Sequence, residues 1–284
     1  SPLPPLRTIG RMLRQLGLSA PRRRGRQVGA AAVLGYPTQS LARLGLRLLE
    51  LDCIGPKYLA GSSAPLTFAG FSCATAPRLR YFYRVPGPTT DALLAVCADL
   101  LTRLEHPPLL KVDNAPATIG SGSAPRTLSR FMRWLLAHEI EPIFAVPRRP
   151  FSQASIEGNN SVFARKFWRP RTFTSVRDVD RQLSWFNRAS LTYTGYRPVG
   201  RTGHHFQPQI HFLRQVHETE NGRAAGIDIL NTFVPLPRRY TQLFVLATWH
   251  LNTEKLDIRL EREGQAQRLT TVTFSMNANS NRLF

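Results

Sequence analysis

Apolar positions along this chain change their period several times, and the changes divide it. Residues 5–17 put Leu6, Ile9, Leu13 and Leu16 on one face of a helix that Gly17 is placed to stop. From residue 48 the period drops to two: Leu49-Glu50-Leu51-Asp52-Cys53-Ile54 alternates as a strand and closes at Gly55-Pro56. Apolar runs at 66–74 and 80–85, each bounded by Gly, Pro or Ser, complete a predicted antiparallel three-stranded meander. A helix follows at 90–104, capped by Thr89 or Thr90, with Leu93, Leu94, Val96, Cys97, Leu100 and Leu101 inward. Next come a strand at 109–112, a helix at 126–138, a strand at 142–146 and a longer helix at 155–168. Three strands, then helix, strand, helix, strand, helix, predict a mixed α/β layer protein. One more helix at 176–187 carries Val179, Leu183 and Phe186 as its apolar stripe, and the Gly-, Pro-, Arg- and His-rich stretch 193–209 reads as a connector. Short alternating runs at 227–230, 242–246, 255–260 and 269–274 predict a small barrel or sheet before a loose tail, 277–284.

Composition narrows the class. At 284 residues the chain exceeds the usual single-domain size, and 42% apolar residues suffice for a core, which excludes a disordered chain. No apolar run of about eighteen residues occurs, so no membrane span is expected. There is no signal-peptide pattern, and the start at Ser1 rather than Met fits a piece of a longer polypeptide. Cys53, Cys73 and Cys97 form no CxxC pair, which points away from a zinc ribbon or a disulfide framework and fits a reducing, intracellular compartment.

Charge changes the picture most. Lys and Arg number 38 against 18 Asp and Glu, a net +20, and the first 49 residues hold no acidic residue. Arginine far outnumbers lysine, which suits bidentate contact with phosphates. On the first helix Arg7, Arg11 and Arg14 recur opposite the apolar face, as in the last helix of a helix-turn-helix whose earlier helices would precede Ser1. Arg22, Arg23, Arg24 and Arg26 then lie in a basic linker able to track a DNA backbone or enter a minor groove. Nucleic acid is the expected partner. No basic amphipathic anchor suggests a membrane surface, and the absence of GxxxxGK[ST] gives no sign of ATP use.

With acidic residues scarce, their placement is informative. Asp52 ends one hydrophobic strand, Asp113 ends another in Leu-Leu-Lys-Val-Asp-Asn, and Glu157 falls in the first turn of the long helix. A carboxylate at the end of a buried strand costs several kcal/mol unless it meets a cation. Adjacent strand ends would bring the two aspartates together, with the helix carrying Glu157 in from the side. Three hard oxygen ligands suit Mg²⁺ or Mn²⁺ rather than zinc.

Glu50-Leu51-Asp52-Cys53-Ile54-Gly55-Pro56, Lys111-Val112-Asp113-Asn114 and Pro150-Phe151-Ser152-Gln153-Ala154-Ser155-Ile156-Glu157-Gly158-Asn159-Asn160 resemble the three motifs of the DDE transposase/integrase superfamily. Sixty residues separate the aspartates and 43 separate Asp113 from Glu157, in the order that family shows. The chain departs from its usual pattern at Ala115-Pro116-Ala117 and at Ala154-Ser155, where glycine-containing turns are common, and at Ser161 and Ala164, where retroviral relatives often carry basic residues.

The resemblance implies a ribonuclease-H-like mixed sheet core with flanking helices, preceded by a helix-turn-helix remnant and followed by a small all-β barrel. The boundaries expected are 1–20 for the remnant, 21–45 for the linker, 46–190 for the catalytic core, 191–225 for a connector, 226–276 for the barrel and 277–284 for the tail. It further implies that Asp52, Asp113 and Glu157 hold two Mg²⁺ or Mn²⁺ ions, and that the chain cleaves element ends and joins their 3′-hydroxyls to target DNA. A homo-oligomer on double-stranded DNA is expected, with Asn114, Asn160, Arg165 and Lys166 added to the DNA-contacting residues. The alternative is an inactive, fold-retaining DNA-binding protein. Asp178 and Asp180 read as solvated or salt-bridged, His204, His205 and His211 as a DNA-contacting loop, and Trp134, Trp168, Trp185 and Trp249 as packing.

Overall fold

A computed structural model describes residues 47–149, 153–199, 205–262 and 265–277, together with Thr8, Met12, Leu13, Gln15 and Leu16. The chain divides into two units, 1–33 and 34–284. In the first, Thr8, Met12, Leu13 and Gln15 are helical, and the Leu16 N–H donates to the Met12 carbonyl at 3.0 Å. Leu13 and Leu16, which the apolar pattern sends inward, are exposed there. Arg7, Arg11, Arg14, Arg22, Arg23, Arg24 and Arg26 lie outside the described residues.

The second unit opens with the meander: β1 (Leu48–Lys57), β2 (Leu66–Cys73) and β3 (Leu79–Val85), paired antiparallel in that order. There follow α1 (Thr90–Arg103), β4 (Leu109–Val112), a short α2 (Pro116–Ile119), α3 (Arg130–Ala137), β5 (Glu141–Phe144) and α4 (Ala154–Val162). The Thr89 side chain accepts from the Ala92 N–H at the start of α1, and Ser129 accepts from Met132 at the start of α3. α4 runs into a π-helical turn, Phe163–Trp168, and α5 (Val176–Thr194) ends on Gly195 in the left-handed region at φ 63°.

β4 lies parallel to β1, and β5 parallel to β4. Helices cover both faces of this sheet, which is why its central strands bury both sets of side chains. One face buries Leu49, Leu51 and Phe71 with Leu93 and Leu100 of α1 and Phe131 and Leu135 of α3. The other buries Ile54, Phe68 and Phe82 with Phe163 and Phe167 of the π-helical turn and Val179, Leu183 and Phe186 of α5. The predicted helix 155–168 changes character at Phe163, where Phe163 meets Phe68 at 5.0 Å and Phe167 meets Phe173 at 5.3 Å between ring centroids.

The C-terminal strands depart from the expected separate barrel. The stretch read as a connector contains β6 (Gln209–Gln215), which pairs parallel with β5 through Ile143–His211 and Phe144–Phe212. β10 (Phe244–His250) pairs antiparallel with β6, and β11 (Lys255–Arg262) and β12 (Gln265–Thr273) follow. The result is one nine-stranded sheet in the order β12-β11-β10-β6-β5-β4-β1-β2-β3. β7 (His217–Glu218), β8 (Ala225–Ile229) and β9 (Thr232–Leu236) form a small antiparallel sheet of their own.

A buried polar cluster joins old strand to new. Glu141 Oε2 on β5 lies 2.9 Å from His211 Nε2 and accepts from Gln209 Nε2 at 2.8 Å, while His211 Nδ1 lies 3.1 Å from the Thr248 hydroxyl of β10. His211 is therefore a fully buried strand residue rather than part of a DNA-contacting loop.

Candidate active site

Period-two alternation decides which side chains share the site. Leu49 and Leu51 point to the α1 and α3 face, so Glu50 and Asp52 point to the opposite face, where α4 lies. β4 pairs Glu50 with Lys111. Two residues further along come Asp52, in the middle of β1, and Asp113, just past the end of β4, so the alternation puts all four side chains on the α4 face. The strand end expected at Asp52 is not there, because β1 runs on to Lys57.

Glu50 and Lys111, both buried, form an ion pair at 3.3 Å. The second oxygen of Glu50 accepts from the Ile156 N–H in the first turn of α4 at 2.8 Å. No side chain caps α4 from within, so a sheet carboxylate takes that place and meets one of the helix's unpaired N–H groups. Further along the helix, Asn159 Nδ2 donates to the Phe71 carbonyl at 3.2 Å and Asn160 Nδ2 donates to Asp52 Oδ2 at 2.7 Å. Ile156, Asn159, Asn160 and Phe163 thus form the sheet-facing side, and Glu157 stands exposed beside it.

Asp52 also accepts from the Cys53 N–H at 2.9 Å. Burial, and next the charge of Asp113, push its carboxyl up to about 6; the Cys53 and Asn160 donors pull it down, and Glu157 raises it slightly further. Among the described residues no basic side chain forms an ion pair with Asp52, Asp113 or Glu157. The donor set, three carboxylates without a countercharge, fits a hard divalent cation. Among the described residues, however, no group of three or more His, Cys, Asp or Glu side chains is already arranged to hold a metal ion. Asp113, and more weakly Glu157, act on Asp52 through their charge without closing a cage.

Behind Asp113 lies an arginine from the C-terminal strands. Arg214 of β6 is buried and donates through Nη2 to Asn114 Oδ1 at 3.0 Å, through Nη1 to the Ala145 carbonyl at 3.1 Å, and through Nε to the Asp228 carbonyl at 2.9 Å. Asn114 Nδ2 donates to the same Ala145 carbonyl at 2.6 Å. Burial pulls the Arg214 guanidinium down to about 10. Of the three carboxylates only Asp113 lines a neighbouring cavity of about 580 Å³, together with Asn114, Arg148, Arg149 and Gln153.

Asn114 and Asn160, expected at DNA, are half-buried and also give their amides to protein acceptors. Arg165 and Lys166 are exposed. Asp178 pairs with Arg181 and Asp180 with Arg84. Trp249 is buried, whereas Trp185 is 58% exposed and is not a packing residue. Glu50 and Lys111 escape a search for catalytic carboxylates, though a charge two positions before each aspartate on an alternating strand is a readable sign. Arg214 carries no such sign, because its strand is itself hidden.

No family model matches the sequence, and no curated protein matches it. Among solved structures, the chain is similar to the catalytic core domain of BIV integrase, with 16% identity over 57% of this chain and 90% of that one, at a TM-score of 0.37. It is also similar to a chain of the simian T-cell lymphotropic virus intasome in complex with PP2A regulatory subunit B56 gamma, with 12% identity over 80% of this chain and 76% of that one, at a TM-score of 0.42. Superpositions this loose leave the fold to be judged from the strand order and the site from its residues.

Proposed function

We propose that this protein cuts DNA strands at element ends and joins the freed 3′-hydroxyls to target DNA, with Asp52, Asp113 and Glu157 as the carboxylates that hold two Mg²⁺ or Mn²⁺ ions. The observation that carries the reading is Asp52: a half-buried carboxyl lifted to about 6 by burial and by Asp113, with no countercharge in contact among the described residues. Such a pair is unfavourable unless a cation completes it. When bound, the ions supply Lewis-acid activation of a phosphodiester and stabilise the attacking and leaving oxygens of an in-line displacement.

The remaining roles belong to the chain. Asn160 holds Asp52 in one orientation through its 2.7 Å hydrogen bond. Glu50 seats the first turn of α4 and so sets where Glu157 stands. Arg214 fixes Asn114 and the turn that carries Asp113. Exposed arginines offer phosphate contacts, in keeping with a net charge of +20.

The open arrangement of the three carboxylates favours a second reading, a DNA-binding protein that keeps the fold without catalysis. One experiment separates the two. The protein is incubated with Mn²⁺, duplexes from the DNA flanking its own coding segment, and supercoiled plasmid. Joined product that disappears with EDTA and with Glu157→Gln is the expected result. Joining by Glu157→Gln at the parent rate refutes the site assignment; DNA binding with no product from the parent favours the second reading.

A further inference from the structure

We infer that the outward face of α5 is a second contact surface for duplex DNA, apart from the carboxylate site. At 100° per residue, Arg177, Arg181, Trp185, Arg188 and Thr192 fall within an arc of about 80°. All five are exposed, opposite the buried Val179, Leu183 and Phe186. Arg177 and Arg188 have no ion-pair partner among the described residues, and the exposed Arg181 is paired only with Asp178 of the same helix. At 1.5 Å per residue the three guanidinium-bearing positions step along the helix by roughly 6 and then 10 Å, so they can reach different phosphates along a backbone.

A charged stripe alone is an ordinary solvated face; the exposed Trp185 makes this one different, with Tyr193 outside the arc near the end of the helix. The second unit exposes four large hydrophobic side chains among the described residues, and three of them, Val176, Trp185 and Tyr193, lie on α5. Trp185 is 58% and Tyr193 80% exposed. Each has a cation against its ring: Arg171 lies 5.8 Å from the Trp185 centroid and Lys166 lies 5.5 Å from that of Tyr193. Exposed rings interleaved with guanidinium and ammonium groups suit a polyanion with flat sugar and base surfaces. Symmetric pairing of this face with itself in a second copy fits poorly, since three arginines would face three arginines. Through Lys166 the surface continues to the π-helical turn that extends α4, on the same side of the sheet as Asp52 and Asp113.

The inference rests on the proposed function for the identity of the polymer, but its test needs no catalysis. Binding of the full chain to a fluorescent 40-base-pair duplex is measured by anisotropy in EDTA, across a range of salt. In Arg177→Ser/Arg181→Ser/Arg188→Ser the log–log salt slope is expected to become shallower by about 1 per arginine, with affinity lost equally for unrelated sequences. The corresponding triple lysine variant restores the slope, and both melt at the parent temperature because the side chains are exposed. An unchanged slope in the serine variant overturns the inference, as does a loss of self-association with DNA binding intact, which would make the face an interface between copies. If the parent itself fails to bind duplex, this inference and the proposed function both fall; if only the serine variant leaves binding unchanged, the carboxylate site stands untouched.

Discussion

The Asp52 carboxyl stands between two influences that favour its neutral form, burial and the neighbouring Asp113, and two donors that favour its charge. Its native value of about 6 lies above the ordinary 3.8, so between those pH values the folded protein holds a proton that the unfolded chain has released. Stability from this group is therefore complete below about pH 4 and declines as pH rises through 6, by on the order of 2–3 kcal/mol. Asp52→Asn should raise the melting temperature of the metal-free protein above pH 6 and leave it unchanged near pH 4. Parallel melting curves for parent and variant from pH 4 to 8 would contradict this account. A bound cation replaces the proton, so Mn²⁺ should raise the parent's melting temperature more at pH 7 than at pH 5. The sequence singles out both aspartates by placing each at the end of an apolar run, although β1 continues past Asp52 to Lys57. The hydrogen bond from the Asn160 amide is not legible in the sequence, because nothing linear says that a residue 108 positions away will lie 2.7 Å from Asp52.

α4 depends on the sheet more than on its own residues. It has few strong helix formers, with Gly158, two asparagines and two serines among its nine residues, and no side-chain cap. What seats it is the Glu50–Lys111 pair and the Ile156 N–H. Removing one partner of a buried pair leaves an uncompensated charge, so Glu50→Ala should cost about 3–5 kcal/mol in urea unfolding. Glu50→Leu/Lys111→Met should cost less than Glu50→Ala alone, and a double variant as damaged as the sum of its parts would deny the coupling. α5 outruns its predicted end at 187 and reaches Thr194, where Gly195 stops it. The apolar stripe ended early in the sequence because the last turns are mostly exposed and carry no period.

Sheet continuity governs the whole molecule. β5 carries Glu141, Ile143 and Phe144, all fully buried, and β6 covers their open edge. A chain cut after residue 199 would expose that edge and strand Glu141 without His211 and Gln209. Residues 47–199 alone should therefore fail to give a soluble species with a cooperative thermal transition. A well-folded truncated core would mean that the C-terminal strands are an independent body after all. The same continuity carries Arg214 to Asn114, so Arg214→Met should depress strand joining while duplex binding in EDTA stays at the parent level. Equal losses of both would point to a purely structural role.

By itself the sequence determined whatever depends on neighbours along the chain: the period-two strands of the meander, the capped helix that starts at Thr90, and the placement of Asp113 just after β4. Only the tertiary structure decided that the C-terminal strands extend one sheet, that Glu50, Lys111 and Arg214 support the site, and that Trp185 is exposed. The physical reason is burial. Alternation is visible only where one face of a strand meets water, and β6, buried on nearly all its residues from Gln209 to Arg214, shows none. Ion pairs and hydrogen bonds between residues 60 or 100 apart are set by how sheets and helices stack, and no linear pattern encodes that distance.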